Sequence, residues 1–406
     1  MAPVRLPSGD RAWLVTSYAD NLKVFSDQRF SRRAAAQDGA PRARNIPLDA
    51  NSLTTMDPPE HTRLRRALGG AFSPRRLDVL RERIGAVTRA LLSEASGSSP
   101  ADLVAGLAQP LALTVICDLL GLPEQERARF REWTESYLSF GPEHATRAAE
   151  AAQDLDSYFA SLIERREEQP SEDVFGALVA AHADQRLSHA ELRTFATTLL
   201  VAGYETVAAQ IAGSLRVLLE EPASWSRLCD GDRLREPVVE ELLRFVPIAM
   251  TGGTIRVAVE DVELSGTVIR AGEAVLPSTT SANRDAKVYT DPDRFDPDRF
   301  DPARSGAGGP GADGAAATPQ ILGDPVHPDR PAPAAAPAAR TPWAHLAFGH
   351  GPHRCMGAHL ARMQIGIALG TLLNRYPGVR PAVPLGELEW NTAKPIRCPK
   401  SLPVTW

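Results

Sequence analysis

Four cysteines in 406 residues, at positions 117, 229, 355 and 398 with no Cys-x-x-Cys pair, are too few and too scattered for a disulfide framework or a four-cysteine zinc site. A reducing cytoplasm suits that usage. Basic excess is lacking as well. Lys and Arg total 45 against 50 Asp and Glu, for a net charge of -5, so no global positive field is there to hold nucleic acid or an anionic membrane. No run of about 18 apolar residues occurs, and residues 1–10 hold one arginine and no apolar core, so neither a membrane span nor an export signal is read here. No glycine-rich nucleotide fingerprint follows a strand and no βαβ alternation is visible, which excludes an encoded flavin or nicotinamide domain.

What is present is helical periodicity. Apolar spacing predicts helices over 75–96, 101–120, 123–139, 143–168, 174–183 and 189–220. A strand over 11–16 leads into a helix capped by Ser17, and Asp57 before two prolines predicts an N-cap for a helix that follows. Residues 32–57 have no clear period and are long enough to be a functional loop. Short Val-rich runs around Gly266 and Gly272 predict a small sheet. The fold class is therefore mostly α with a small β region, organised as a single domain over 1–406. Within it, 26 of the 40 residues from 301 to 340 are Ala, Pro or Gly, a composition that cannot offset its own ordering entropy. That stretch is expected to be a flexible insertion, the alternative being an interdomain linker.

Chemistry concentrates after this stretch, in His345-Leu-Ala-Phe-Gly-His-Gly-Pro-His-Arg-Cys355-Met-Gly357. A lone cysteine in a tight glycine loop at a helix start is predicted to ionise easily, and a thiolate is a strong iron ligand. Gly351 and Gly357 allow the backbone to fold around the sulfur, and Phe348 can pack on a flat ligand. Two other readings of the loop stand beside this one: a zinc site built from His350, His353, Cys355 and His359, and a buried structural cysteine. Further back, Ala202-Gly203-Tyr204-Glu205-Thr206 interrupts the apolar helix over 189–220. Glycine there costs about 1 kcal/mol relative to alanine, which suggests a close ligand approach. The acid and alcohol suggest proton traffic, the alternative being a back-bonded threonine in a helix contact. Glu241 and Arg244 share a helix face at i, i+3.

Together these segments resemble the cytochrome P-450 family of thiolate-haem monooxygenases, in particular its bacterial, non-membrane members, over nearly the whole chain. The string from Phe348 to Gly357 is similar to the family's haem-binding loop. The resemblance implies haem b as cofactor, with Cys355 as axial iron ligand and metal-binding residue. It implies that Ala202 and Gly203 cross the distal face, and that Thr206 and Glu205 guide protons to dioxygen. His61, Arg65, Arg256 and His353 are implied to bind the propionates, and Glu241, Arg244 and Arg294 to form a buried ion triad. The expected reaction inserts one oxygen atom from O₂ into an apolar small molecule, by hydroxylation or epoxidation, with electrons from a ferredoxin and its NAD(P)H-dependent reductase. Arg63, Arg66 and Arg354 are candidates for the docking surface. Oxidative coupling, peroxide-driven oxidation and a non-catalytic haem or zinc protein are the alternatives. The family's pattern differs at Ala286, where proline is usual, in the 301–340 stretch, and at the N-terminus, where a short initial element is expected to be missing.

Overall fold

The computed structural model describes residues 1–6, 8–41, 49–70, 72–139, 141–171, 173–183, 187–230, 234, 236–249, 254–301 and 345–406. Of the Ala/Pro/Gly-rich stretch, all but Asp301 lies outside the described residues. Ten helices carry the architecture: α1 (Tyr18–Ser26), α2 (Glu60–Gly69), α3 (Leu80–Ala95), α4 (Gln109–Leu119), α5 (Arg127–Leu138), α6 (Ala145–Glu168), α7 (Val174–Ala183), α8 (His189–Glu220), α9 (Glu236–Phe245) and α10 (Ala358–Arg375).

The periodicity places α7 and α8 at their observed bounds, and α8 owes its start to local chemistry. Ser188 accepts from the Glu191 amide while the Glu191 side chain reaches back to the Ser188 amide, closing a capping box. Elsewhere the predicted helices are shortened. The one expected over 75–96 breaks between Asp78 and Leu80. Residues 101–102 form a strand that pairs with Pro403 and Val404, and a π-helical turn, Val104–Ala108, precedes α4. Asp57 does not cap α2. Its carboxylate accepts from the Ser31 hydroxyl and from the amides of Arg32 and Arg33, fixing the short helix Arg32–Ala35 that interrupts the expected loop.

The largest core forms around α8, which packs on α4, α6 and α10 and buries residues on all sides, from Leu192 to Leu219. Beside this helical body stand β1 (Ala2–Arg5), β2 (Arg11–Val15), β3 (Phe30–Ser31), β4 (Arg256–Ala258) and β5 (Ala274–Pro277). They form one sheet in the order β1-β2-β5-β4-β3. The β2–β5 pair is parallel, with Trp13 opposite Val275. The β4–β5 pair is antiparallel, with Arg256 opposite Val275. A hairpin of Val262–Leu264 and Thr267–Ile269 turns at Gly266, whose φ of +76° suits glycine.

Candidate functional site

The loop before α10 is shaped by its glycines and anchored by its neighbours. Gly349 and Gly351 sit at φ +69° and +68°, and a Cβ on Gly351 would lie 2.5 Å from the Phe25 carbonyl oxygen at the end of α1. The Cys355 amide donates to the Phe348 carbonyl at 2.9 Å, the Leu346 amide to Asn283 Oδ1 at 2.7 Å, and Arg65 to the Arg354 carbonyl at 2.6 Å. These bonds fix the backbone around Cys355, whose side chain is exposed while surrounding protein atoms still crowd and desolvate the sulfur.

Desolvation raises the Cys355 thiol, opposed by the Gly357 amide and by Arg65, Arg354 and Arg362. The sequence-based expectation of easy ionisation is corrected here, because burial outweighs the local donors. Cys117 and Cys398, pushed up to about 12 chiefly by desolvation, are ordinary core thiols. Cys355 differs in having three guanidiniums and an amide directed at it, an environment suited to a sulfur whose proton is displaced by a metal ion.

Across from the loop, one cavity is lined by Thr206 and Val207 of α8, Val246, Ile248 and Ala249 beyond α9, Ala347 and Phe348 of the loop, and Ala361 and Ile365 of α10. The middle of α8 opens towards solvent-accessible space there. Ala202 is exposed and Gly203 and Thr206 are partly so, just before a run from Val207 to Leu215 that is buried throughout. Thr206 Oγ1 donates to the Ala202 carbonyl at 2.5 Å. Gly203 has a different reason from the one expected. A Cβ there would sit 2.6 Å from Ile116 Cδ1, so its glycine permits α8 to approach α4, and the residue facing open space is Ala202.

Glu205 turns the other way. Its carboxylate, 7% exposed, receives Lys394 Nζ at 2.6 Å. Desolvation raises its pKa, with Lys394 acting in the opposite direction. The structure therefore brings Thr206 to the cavity and Glu205 to the C-terminal segment.

At the edge of the Cys355 loop the four residues expected to bind propionates do converge. The rings of His61 and His353 lie 4.2 Å apart, and both ring nitrogens of the buried His61 lack partners. His353 is depressed to about 2 by desolvation and by the adjacent His61, Arg256, Arg32 and Arg65. His61 falls to about 4, through desolvation and Arg65. Arg256 falls to about 9 by burial and by Arg32. Arg32, which sequence reasoning missed, is 3% exposed and bonds the Thr54 and Ile255 carbonyls. Among the described residues, Asp57 is the carboxylate that acts on these groups, raising His61, Arg32 and Arg256. A cluster so rich in buried donors and so poor in negative charge fits the carboxylates of a dianionic ligand, and the slot between α8 and the loop fits a flat one.

Of the three residues expected in the ion triad, the structure brings Glu241 and Arg244 together and leaves the Arg294 side chain apart. Arg244 donates to both oxygens of Glu241 at 2.7 Å, with neither side chain exposed. The third cation is Arg299, whose Nε lies 3.1 Å from Glu241 Oε1. Arg294 is 65% exposed and pairs with Asp296 at 3.5 Å; only its carbonyl joins the network, accepting from Arg244 and Arg299. The repeated Asp-Pro-Asp-Arg-Phe offered two arginines, and the second one is turned inward.

Sequence reasoning also missed Glu240. Fully buried, it holds His345 Nε2 at 2.8 Å and Arg362 through two bonds, and Arg362 in turn lies 4.5 Å over the Phe348 ring. Two adjacent glutamates, Glu240 and Glu241, were the available signal. The four residues of the zinc alternative are not gathered. His359 pairs with Asp78 at 3.2 Å, and His353 stacks on His61. Of the three docking arginines, Arg63 is engaged by Glu191, while Arg66 and Arg354 are exposed.

Comparison with known proteins agrees with this geometry. The family model described as Cytochrome P-450 matches residues 234–379. Nocardicin C N-oxygenase of Nocardia uniformis subsp. tsuyamanensis is 42% identical over 99% of this chain and 92% of its own length. Mycinamicin IV hydroxylase/epoxidase of Micromonospora griseorubida is 40% identical over 99% and 91%. The crystal structure of HinD with NMFT and NO superposes with a TM-score of 0.84 at 41% identity, covering 100% of this chain and 92% of that one.

Proposed function

The chain belongs to the cytochrome P-450 family and is a monooxygenase, and on that premise we propose that it binds haem b between α8 and the Cys355 loop and oxygenates an apolar secondary metabolite. The observation that carries the cofactor assignment is the pairing of Cys355 with a donor-rich cluster beside it, the guanidiniums of Arg65 and Arg256 and the imidazoles of His61 and His353. Cys355 would ligate the iron and the cluster would hold the two propionates. When bound, the haem supplies oxygen activation, with the thiolate donating electron density that favours O–O cleavage.

The protein's own residues set the conditions for that chemistry. Phe348, fixed under the Arg362 guanidinium, walls the proximal side of the slot. The Gly357 amide and the three arginines near Cys355 keep the sulfur anionic once its proton is displaced. Ala202 leaves room above the slot. Thr206 presents to the cavity a hydroxyl that rests on the Ala202 carbonyl; rotated off that carbonyl, it can donate its own proton onward while its oxygen takes one from a water, which is a balanced relay. Overall, one atom of O₂ enters the substrate and the other leaves as water, at the expense of two electrons and two protons. A ferredoxin, reduced by its NAD(P)H-dependent partner, would deliver the electrons one at a time at the face carrying Arg66 and Arg354.

The substrate class follows from the cavity wall, where ten apolar residues, among them Val207, Leu243, Val246, Pro247 and Ile248, stand against six polar ones. Relatives named for nocardicin C and mycinamicin IV support a natural-product scaffold.

The decisive experiment compares the reduced carbon monoxide complex of the wild type with that of Cys355→Ser. The wild type should show the strongly red-shifted Soret band of a thiolate-ligated haem and the variant should lose it. Retention of that band in the variant would remove Cys355 from the iron.

A further inference from the structure

Away from the Cys355 loop, the ends of α6 and α7 meet the start of α8. Glu167 lies in the last turn of α6, His182 in the last turn of α7, and His189 is the first residue of α8. One ligand atom from each lies within 4.8 Å of the others, the one such grouping found among the described residues. Glu167 Oε1 is 3.4 Å from His189 Nε2 and 3.8 Å from His182 Nε2. The two imidazoles stand nearly perpendicular with centroids 4.1 Å apart. Ligands held at about 2.0–2.1 Å around a tetrahedral zinc ion are about 3.3 Å from one another, so the observed spacing needs only small side-chain adjustments to close on an ion.

The tautomer of His182 strengthens the case. Its Nδ1 is 2.6 Å from the Leu187 carbonyl oxygen. A carbonyl only accepts, so Nδ1 carries the hydrogen, and in the neutral ring the Nε2 lone pair is directed at Glu167. A lone pair facing a carboxylate at a distance too long for a hydrogen bond is unfavourable unless a cation stands between them. An Nδ1–H to carbonyl bond is also the usual support that orients a metal-binding imidazole. The three side chains are 22–47% exposed, so an ion has access from solvent and water can fill a fourth position.

We propose that Glu167, His182 and His189 form a site for a divalent transition-metal ion of the zinc class, separate from the oxygen chemistry. Two imidazoles and one carboxylate select such an ion over magnesium or calcium, which prefer all-oxygen shells. An ion there cross-links three helices and pins the first turn of the helix that carries Thr206 seventeen residues downstream.

The test uses tag-free holoenzyme stripped with a chelator. Zinc is then titrated in competition with a chromogenic chelator, and the melting temperature is followed in parallel. One equivalent should bind, the melting temperature should rise, and His182→Ala or His189→Ala should each weaken binding by about tenfold or more while leaving haem content and the zinc-free melting temperature unchanged. Magnesium should produce no shift. Zinc binding equal in wild type and in the double histidine variant would overturn the assignment, as would an equal response to magnesium.

Discussion

Glu240 and Glu241 are consecutive, both fully buried, and serve separate ion networks: Glu240 joins α9 to His345 and Arg362 of the Cys355 region, and Glu241 joins it to Arg244 and Arg299. Two carboxylates side by side in a core would be untenable without three guanidiniums and the His345 N–H to hold them. The cost of losing a partner therefore depends on what charge is left buried behind it.

Glu241→Ala should destabilise the protein by about 3–5 kcal/mol, because Arg244 keeps its charge in a site with no exposure. Arg299→Ala should cost less, since its side chain is 10% exposed and Glu241 retains Arg244. Arg294→Ala should stay within about 0.5 kcal/mol of wild type. Urea unfolding of the three variants ranks them, and an Arg294 variant as damaged as that of Arg299 would contradict the assigned triad.

Removing the Thr206 hydroxyl should separate electron consumption from product. Thr206→Ala should still bind substrate, because it takes away one oxygen and one methyl from a cavity wall that is otherwise largely apolar, yet return less product per NAD(P)H and more peroxide. Helix stability should not fall, since a hydroxyl bonded back to the i−4 carbonyl slightly destabilises a helix. Unchanged coupling in the variant would rule out the relay.

The Glu205–Lys394 pair predicts a pH dependence of definite sign. With its folded pKa raised above 4.5, Glu205 contributes stability below pH 4.5 that is lost as pH climbs through the folded value, because the unfolded chain releases the proton first. Glu205→Gln should flatten the stability profile above pH 4.5. Lys394→Met, by removing the cation that lowers Glu205, should steepen it. Parallel profiles for all three proteins would show that the carboxyl does not titrate in this way.

Two glycines should respond oppositely to repair. Gly203→Ala should be destabilising alone, yet become favourable by about 1 kcal/mol in an Ile116→Ala background, where helix propensity is no longer opposed by the collision with Ile116. Gly351→Ala should find no such rescue, because φ is +68° and the obstacle is the Phe25 backbone; positive φ alone costs about 1–3 kcal/mol. Thermal melts of the single and double variants read this directly.

The sequence was most legible where the determinants are local. The Cys355 loop is one continuous string, and α8 carries its own capping box. Both could be read without tertiary knowledge. Partner choice across the chain could not. Lys394 finds Glu205, Arg32 joins Arg256, and residues 101–102 exchange a predicted helix for a strand beside Val404, each by contacts hundreds of residues apart or nearly so. Arg294 and Arg299 sit in identical five-residue words, and only the packing of the second against α9 distinguishes them. The ionisation of Cys355 was misjudged for the same reason, since local donors are visible in sequence and desolvation is not.

The cationic cluster draws on residues 32, 61, 65, 256 and 353, and the sulfur comes two residues after the last of these. During synthesis, therefore, the residues that the first quarter of the chain contributes must wait for their partners until the final fifty or so residues have left the ribosome. Haem capture is in this sense a closing event. On the proposed assignment it would fasten the earliest segment to nearly the latest, tie cofactor supply to the yield of folded enzyme, and leave a chain stalled before α10 a substrate for proteolysis rather than a partly active protein.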